Sequence, residues 1–180
     1  MNIDEVIKDY PNCLHYNIQW HKLAQKGDIE SIVNIGTDFA RCDMMQHAVT
    51  CWKYLIDSNK GTAEAFSNLG VSYYYGNGVS QNYEQAVLYY QKAAEMGHPF
   101  GLYNLAVAYE NGNGITKNMD AAINCYIMAA EKHLNIAIDA LIRLGVYSET
   151  QGIAFYQRSW RDNGFASDNT NDIDNEELPF

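Results

Sequence analysis

Ala65-Phe-Ser-Asn-Leu-Gly-Val-Ser-Tyr-Tyr-Tyr-Gly-Asn-Gly-Val79 and Gly101-Leu-Tyr-Asn-Leu-Ala-Val-Ala-Tyr-Glu-Asn-Gly-Asn-Gly-Ile115 are two copies of one pattern. Leu69 falls on Leu105, Tyr73 on Tyr109, Gly76 on Gly112 and Gly78 on Gly114. The register holds without a gap: Asn82 meets Asn118, Ala86 meets Ala122, Tyr90 meets Tyr126, and Ala93-Ala94 meets Ala129-Ala130. The period is 36 residues, within the range that marks stacked two-helix units.

Fainter copies flank the pair. Asn34-Ile35-Gly36 aligns with Asn68-Leu69-Gly70, and Ala48 and Trp52 take the places of Ala86 and Tyr90. The turn between those halves is four residues shorter and lacks the Gly-x-Gly. Upstream, Trp20 to Gly27 matches Tyr90 to Gly97 and reads as the second half of a decayed first repeat. Downstream, Ala140 to Val146 matches Ala65 to Val71, followed by a short polar second half from Ile153 to Arg161.

Each unit reads as a helical hairpin. Ala65, Leu69 and Tyr73 are spaced four apart and stack on one helix face, and Ala86, Tyr90, Ala93 and Ala94 stack likewise on the next. Gly70, Ala86 and Ala94 are small enough to let two helices approach closely. Gly76 and Gly78 end the first helix, and Gly97-His98-Pro99 ends the second and opens the next unit. One hairpin cannot bury its own apolar face, so the units must stack. The expectation is an all-α, right-handed α/α solenoid of about three full hairpins plus terminal half-repeats. Its hairpins fall at about 29–62, 63–98 and 99–133, with a degenerate cap at 137–161; the repeat domain covers 1–161 and an acidic tail 162–180.

The pattern resembles the Sel-one-like repeat family, a relative of the tetratricopeptide repeat. Its unit, Ala…Leu-Gly…Tyr…Gly-x-Gly-Val…Ala…Tyr-x-Lys-Ala-Ala…Gly, is complete in residues 63–98, including Tyr90-Gln-Lys92-Ala93-Ala94. Residues 99–133 carry most of it, with Ala106 for the glycine and His133 for the last glycine. The resemblance implies protein–protein interaction, as adaptor or scaffold.

It also implies a groove lined by the first helix of each hairpin. The groove positions are then Glu30, Asn34, Thr37 and Arg41; Glu64, Ser67, Asn68, Val71 and Tyr75; Phe100, Tyr103, Asn104, Val107 and Glu110; and Asp139, Arg143 and Val146. Asn34, Asn68 and Asn104 recur just before the Leu-Gly pair or its equivalent. A carboxamide both donates and accepts, so it can grip a peptide backbone or bond within the array. In tetratricopeptide relatives such an asparagine joins cations that clamp a terminal carboxylate. Glu30, Glu64 and Phe100 stand where those cations belong, which tilts the expectation toward a basic or mixed-charge protein or peptide. Tyr74, Tyr75, Phe100 and Tyr103 form a candidate aromatic patch on or beside the groove.

Charge and motifs narrow the function further. The net charge is −10, and a nucleic-acid binder would need a basic face. Six of those negative charges, from Asp162 to Glu177, follow the last basic residue, Arg161. No apolar run reaches the length of a membrane span. Met1-Asn-Ile-Asp-Glu-Val-Ile-Lys-Asp lacks a basic start and an apolar stretch, which gives the expectation of a cytoplasmic protein with reduced thiols. Cys13, Cys42, Cys51 and Cys125 sit at unrelated spacings. The resemblance includes a secreted cysteine-rich branch that bridges its two helices near Cys42 and Cys51, but no matching pair recurs in the other repeats, so that bridge is not expected. His47 with Cys51 is too few ligands for zinc, and Cys13-Leu-His15 lacks an orienting partner for its imidazole. The glycine turns lack the lysine of a phosphate loop. No enzyme, metal or cofactor is expected. Two readings remain: an adaptor holding a partner along the groove, and an immunity-type inhibitor that neutralises a basic toxin one-to-one.

Overall fold

The computed structural model describes residues 3–14, 16–148 and 150–154. None of the described residues lies in a strand. The acidic tail at 162–180, most of the 137–161 cap's second half and the imidazole of His15 lie outside the described residues.

Three hairpins form the array: α3 (Ile29–Arg41) with α4 (Met45–Asp57), α5 (Ala63–Tyr75) with α6 (Tyr83–Glu95), and α7 (Pro99–Asn111) with α8 (Met119–Ala130). A seven-residue α2 (Ile18–Ala24) packs on α3, and α9 (Asn135–Arg143) packs on α8. Successive hairpins join through α4 on α5 and α6 on α7. The chain is thus an α/α solenoid, as the repeats predict. Three apolar clusters run along it: Ile35, Phe39, Leu55 and Leu69 at one end, Val87 and Tyr90 in the middle, and Leu102, Tyr126, Ile138 and Leu141 at the other, with the partly buried Tyr73 and Tyr109 packed between neighbouring clusters.

Within each hairpin a residue with little or no side chain admits an aromatic ring from the second helix. A Cβ on Gly70 would lie 2.6 Å from the Tyr90 ring, and one on Gly36 would lie 2.7 Å from Trp52 Nε1. No larger side chain fits at either place without moving the partner helix.

The turns follow from their residues. Gly76 and Gly112 end α5 and α7 in the left-handed region, at φ +77°. Two residues on, Gly114 at φ +71° lies so close to the backbone of Tyr83 that an added Cβ would sit 2.2 Å from its carbonyl oxygen. The α3–α4 turn is shorter, and Asp43 takes the left-handed conformation instead (φ 61°). His133 does the same (φ 62°) where the preceding repeat has Gly97 (φ 75°).

The N-terminal segment holds an element that repeat comparison does not reveal. Helix α1 (Ile3–Asp9) and a 3₁₀ turn (Tyr10–Asn12) fold back as a strap against the α3–α4 hairpin, burying Val6, Ile7, Tyr10 and Cys13. The Tyr10 hydroxyl donates to the buried Asp38 carboxylate at 2.7 Å, and Arg41 reaches the other Asp38 oxygen at 3.3 Å. The expectation of reduced thiols is corrected here: Cys13 and Cys42 form a disulfide across 29 residues. The fold-back brings the strap to the end of α3, a contact that cysteine spacing does not encode. Cys51 stays a free thiol, and burial pushes its pKa up to about 12.

Two predictions test this architecture. Gly114→Ala should cost about 3 kcal/mol, because left-handed strain adds to the clash with Tyr83. Gly145→Ala, also at φ +70° but with no atom within 4 Å of the new Cβ, should cost about 1 kcal/mol. Equal losses in chemical denaturation would show that the clash is relieved. Alkylation of the unfolded, unreduced chain should add label to two cysteines, rising to four after reduction, and reduction should remove about 2–4 kcal/mol of stability. Four labelled cysteines before reduction would disprove the bridge.

Candidate functional site

The first helices of the hairpins begin alike. Asp28, Thr62 and His98 cap α3, α5 and α7, each accepting from the backbone N–H three residues on: Ser31 at 2.9 Å, Ala65 at 3.1 Å and Gly101 at 3.2 Å. The hydrogen bonds from Ser31 hold the Asp28 carboxyl below its usual range. The caps recur at the repeat spacing, so they form one rim, and the residues after them point into one groove.

Two clefts follow that groove. The larger, about 720 Å³, runs between α3 and α5 and includes Asp28, Glu30, Asn34, Thr62, Glu64 and His98 in its wall. The second, about 360 Å³, continues between α5 and α7 past Glu64, Asn68, Val71, His98, Phe100 and Asn104. Glu64 and His98 line both. Eight of the residues singled out by the repeat pattern therefore come together here: Glu30, Asn34, Glu64, Ser67, Asn68, Val71, Phe100 and Asn104. The half-buried carboxamides of Asn34, Asn68 and Asn104 have no hydrogen-bond partner among the described residues. The alternative that they bond within the array is not what the structure shows for these residues.

The other candidates lie outside both clefts. Arg41, at the far end of α3, is tied to Asp38. Tyr75 is 65 % exposed beside the Tyr74 ring, and the Tyr74 hydroxyl accepts from Asn113 Nδ2 of the next repeat at 2.7 Å. Tyr103 packs its ring on Tyr126 at 5.5 Å, and Val107 packs on the same core. Glu110, in the position equivalent to Tyr74, accepts from the Tyr126 hydroxyl at 2.7 Å and pairs with Arg143 at 2.8 Å. Burial first, and then this carboxylate, raise the Tyr126 phenol above its ordinary value. Tyr74 and Glu110 thus brace one repeat against the next. Asp139 is exposed midway along α9.

His98, like Asp28 and Thr62, lines the clefts without having been among the groove positions expected from the repeat pattern. Its signal was present: it precedes Pro99, the first residue of α7, and shares the register of Asp28 and Thr62. Because the Gly101 N–H donates to Nδ1, that nitrogen carries the lone pair and the ring proton sits on Nε2. Burial lowers the His98 pKa, with Glu64 opposing, which favours the neutral ring. Among the described residues no group of three or more His, Cys, Asp or Glu is placed to hold a metal ion, and no helix is long and apolar enough to cross a membrane.

The division between bracing and exposed carboxylates is testable by thermal and chemical denaturation. Glu110→Ala should destabilise by about 2 kcal/mol, since it strands a buried phenol and a guanidinium. Glu64→Ala, at an exposed position, should stay within about 0.5 kcal/mol. The reverse order would mean that Glu64 carries structure.

Comparison with known proteins agrees with this architecture. The Sel1 repeat model matches residues 63–98 and 99–134, the two copies that the sequence displays most clearly. A protective antigen present in uropathogenic Escherichia coli strains, whose crystal structure displays an SLR fold, superposes with a TM-score of 0.65 at 21% identity, over 90% of this chain and 41% of that one. The present chain therefore spans under half the length of that relative. A Sel1 repeat protein from Oxalobacter formigenes superposes with a TM-score of 0.64 at 23% identity, over 88% of this chain and 72% of that one. No curated protein matches. The chain carries two Sel1 repeats, at its centre, inside an SLR-type helical solenoid.

Proposed function

We propose that this protein is a non-catalytic protein-binding module that holds a polypeptide segment of its partner along the groove of α3, α5 and α7. One observation carries this reading. Asn34, Asn68 and Asn104 present one unengaged carboxamide per repeat, in register, along two joined clefts. An extended backbone offers donors and acceptors at regular intervals, which is what a row of carboxamides can pair. Sel1 repeats generally serve protein interaction, and the reading agrees with that role.

The partner segment is basic or of mixed charge. Asp28, Glu30 and Glu64 line the clefts, and among the described residues no lysine or arginine does. A net charge of −10 steers cationic partners toward the molecule and repels nucleic acid. An inhibitor of a basic toxin would use the same surface, but nothing in the groove distinguishes such a partner from any other basic segment.

Site-specific photo-crosslinking in cells tests the reading. A benzophenone side chain at position 104 should yield a discrete crosslinked protein. The same group in place of Leu88, which is exposed on α6 and outside both clefts, should yield none. Crosslinks from position 88 alone would place the partner on another face.

A further inference from the structure

Resting on that reading of the groove, we propose that the junction of the two clefts is a pocket for one cationic side chain of the bound segment, a lysine or an arginine. The cation sits against the Glu64 carboxylate, and His98 Nε2–H donates to a backbone carbonyl of the ligand.

A chain lying along both clefts must pass Glu64 and His98, the residues common to their walls. Glu64 is exposed, and the hydrogen bond it accepts from the Thr37 hydroxyl is a long one, at 3.4 Å. Glu30, one repeat away in the same cleft, has no ion-pair partner among the described residues. Arg41 on α3 and Arg143 on α9 are held elsewhere by Asp38 and Glu110. Among the described residues the clefts therefore carry carboxylates without a cation of their own, and walls of low polarisability strengthen the field between them.

The neighbouring groups favour a long cationic side chain over a bare ion. Phe100 is 49 % exposed, its ring 6.1 Å from the His98 ring. Its face can receive the methylene stem of a lysine or the plane of a guanidinium. His98 offers a donor and no acceptor, because its Nδ1 lone pair is already used by Gly101. A donor beside a carboxylate suits a residue that brings a carbonyl on its backbone and a positive charge on its side chain. Asn68 and Asn104 flank this point and hold the neighbouring backbone.

The test uses the full chain and a displayed library of random dodecapeptides. Peptides selected on the wild-type protein should share one basic position. A synthetic winner should bind about tenfold more tightly than its analogue with glutamine at that position, and the gap should shrink to less than about twofold on the Glu64→Gln protein. Exchanging lysine for arginine in the peptide separates a point charge from a forked donor. Circular dichroism of Glu64→Gln should be unchanged. Winners with no basic position, or a glutamine penalty that survives in Glu64→Gln, would overturn the pocket. If Asn68→Ala and Asn104→Ala still weaken those winners, the groove reading stands without it. Failure to select any peptide, or winners insensitive to all three substitutions, would overturn both.

Discussion

The fold depends on a close approach that only small residues permit. Gly36 lies under Trp52 and Gly70 under Tyr90, with no room for a Cβ at either site; Ala106 and Tyr126 share the core at the equivalent place in the third hairpin. The ring locks the angle between the two helices of a hairpin, and the locked hairpins stack through α4–α5 and α6–α7. Once that interface is occupied, the opposite face of each first helix cannot reach the core. Residues there are free to meet something else, and the groove is the consequence of the packing rather than a separate feature.

Equivalent positions in this array have diverged into different tasks. The position of Tyr74 and Glu110 braces each repeat on the next, by a phenol–carboxamide bond in one case and a carboxylate–guanidinium pair in the other. The cap position carries Asp28, Thr62 and His98, three residue types that satisfy the same backbone N–H and present three different chemistries to the rim. The position of Asn34, Asn68 and Asn104 has not diverged, and it braces nothing among the described residues. Bracing residues are half-buried and paired, while the asparagines are half-buried and unpaired, and it is the second combination that points to a ligand.

Much of this was legible in the residues. The 36-residue period, the Gly-x-Gly turns and the small-residue positions led to the hairpins and their order. The groove helices could be assigned by register, and eight of the groove positions meet along two clefts. The remainder required three dimensions. Helical spacing says which side of a helix a residue occupies but not how long its neighbours' arms are, so it did not show Arg143 reaching Glu110 or the Tyr103 ring settling on Tyr126. The strap formed by α1 belongs to no repeat, and its seven residues are too short to announce a helix by periodicity. The pairing of Cys13 with Cys42 follows from that strap, so it was hidden for the same reason.

The central claim is that the three asparagine carboxamides are the ligand's handholds. Nuclear magnetic resonance of their side-chain NH₂ groups tests it most directly, during titration with a peptide selected on the protein. The account predicts that the Asn34, Asn68 and Asn104 signals move together and saturate at one affinity, while the helix-capping Asn82 and Asn118 stay still. Saturable binding that leaves all three groove signals unmoved would contradict it.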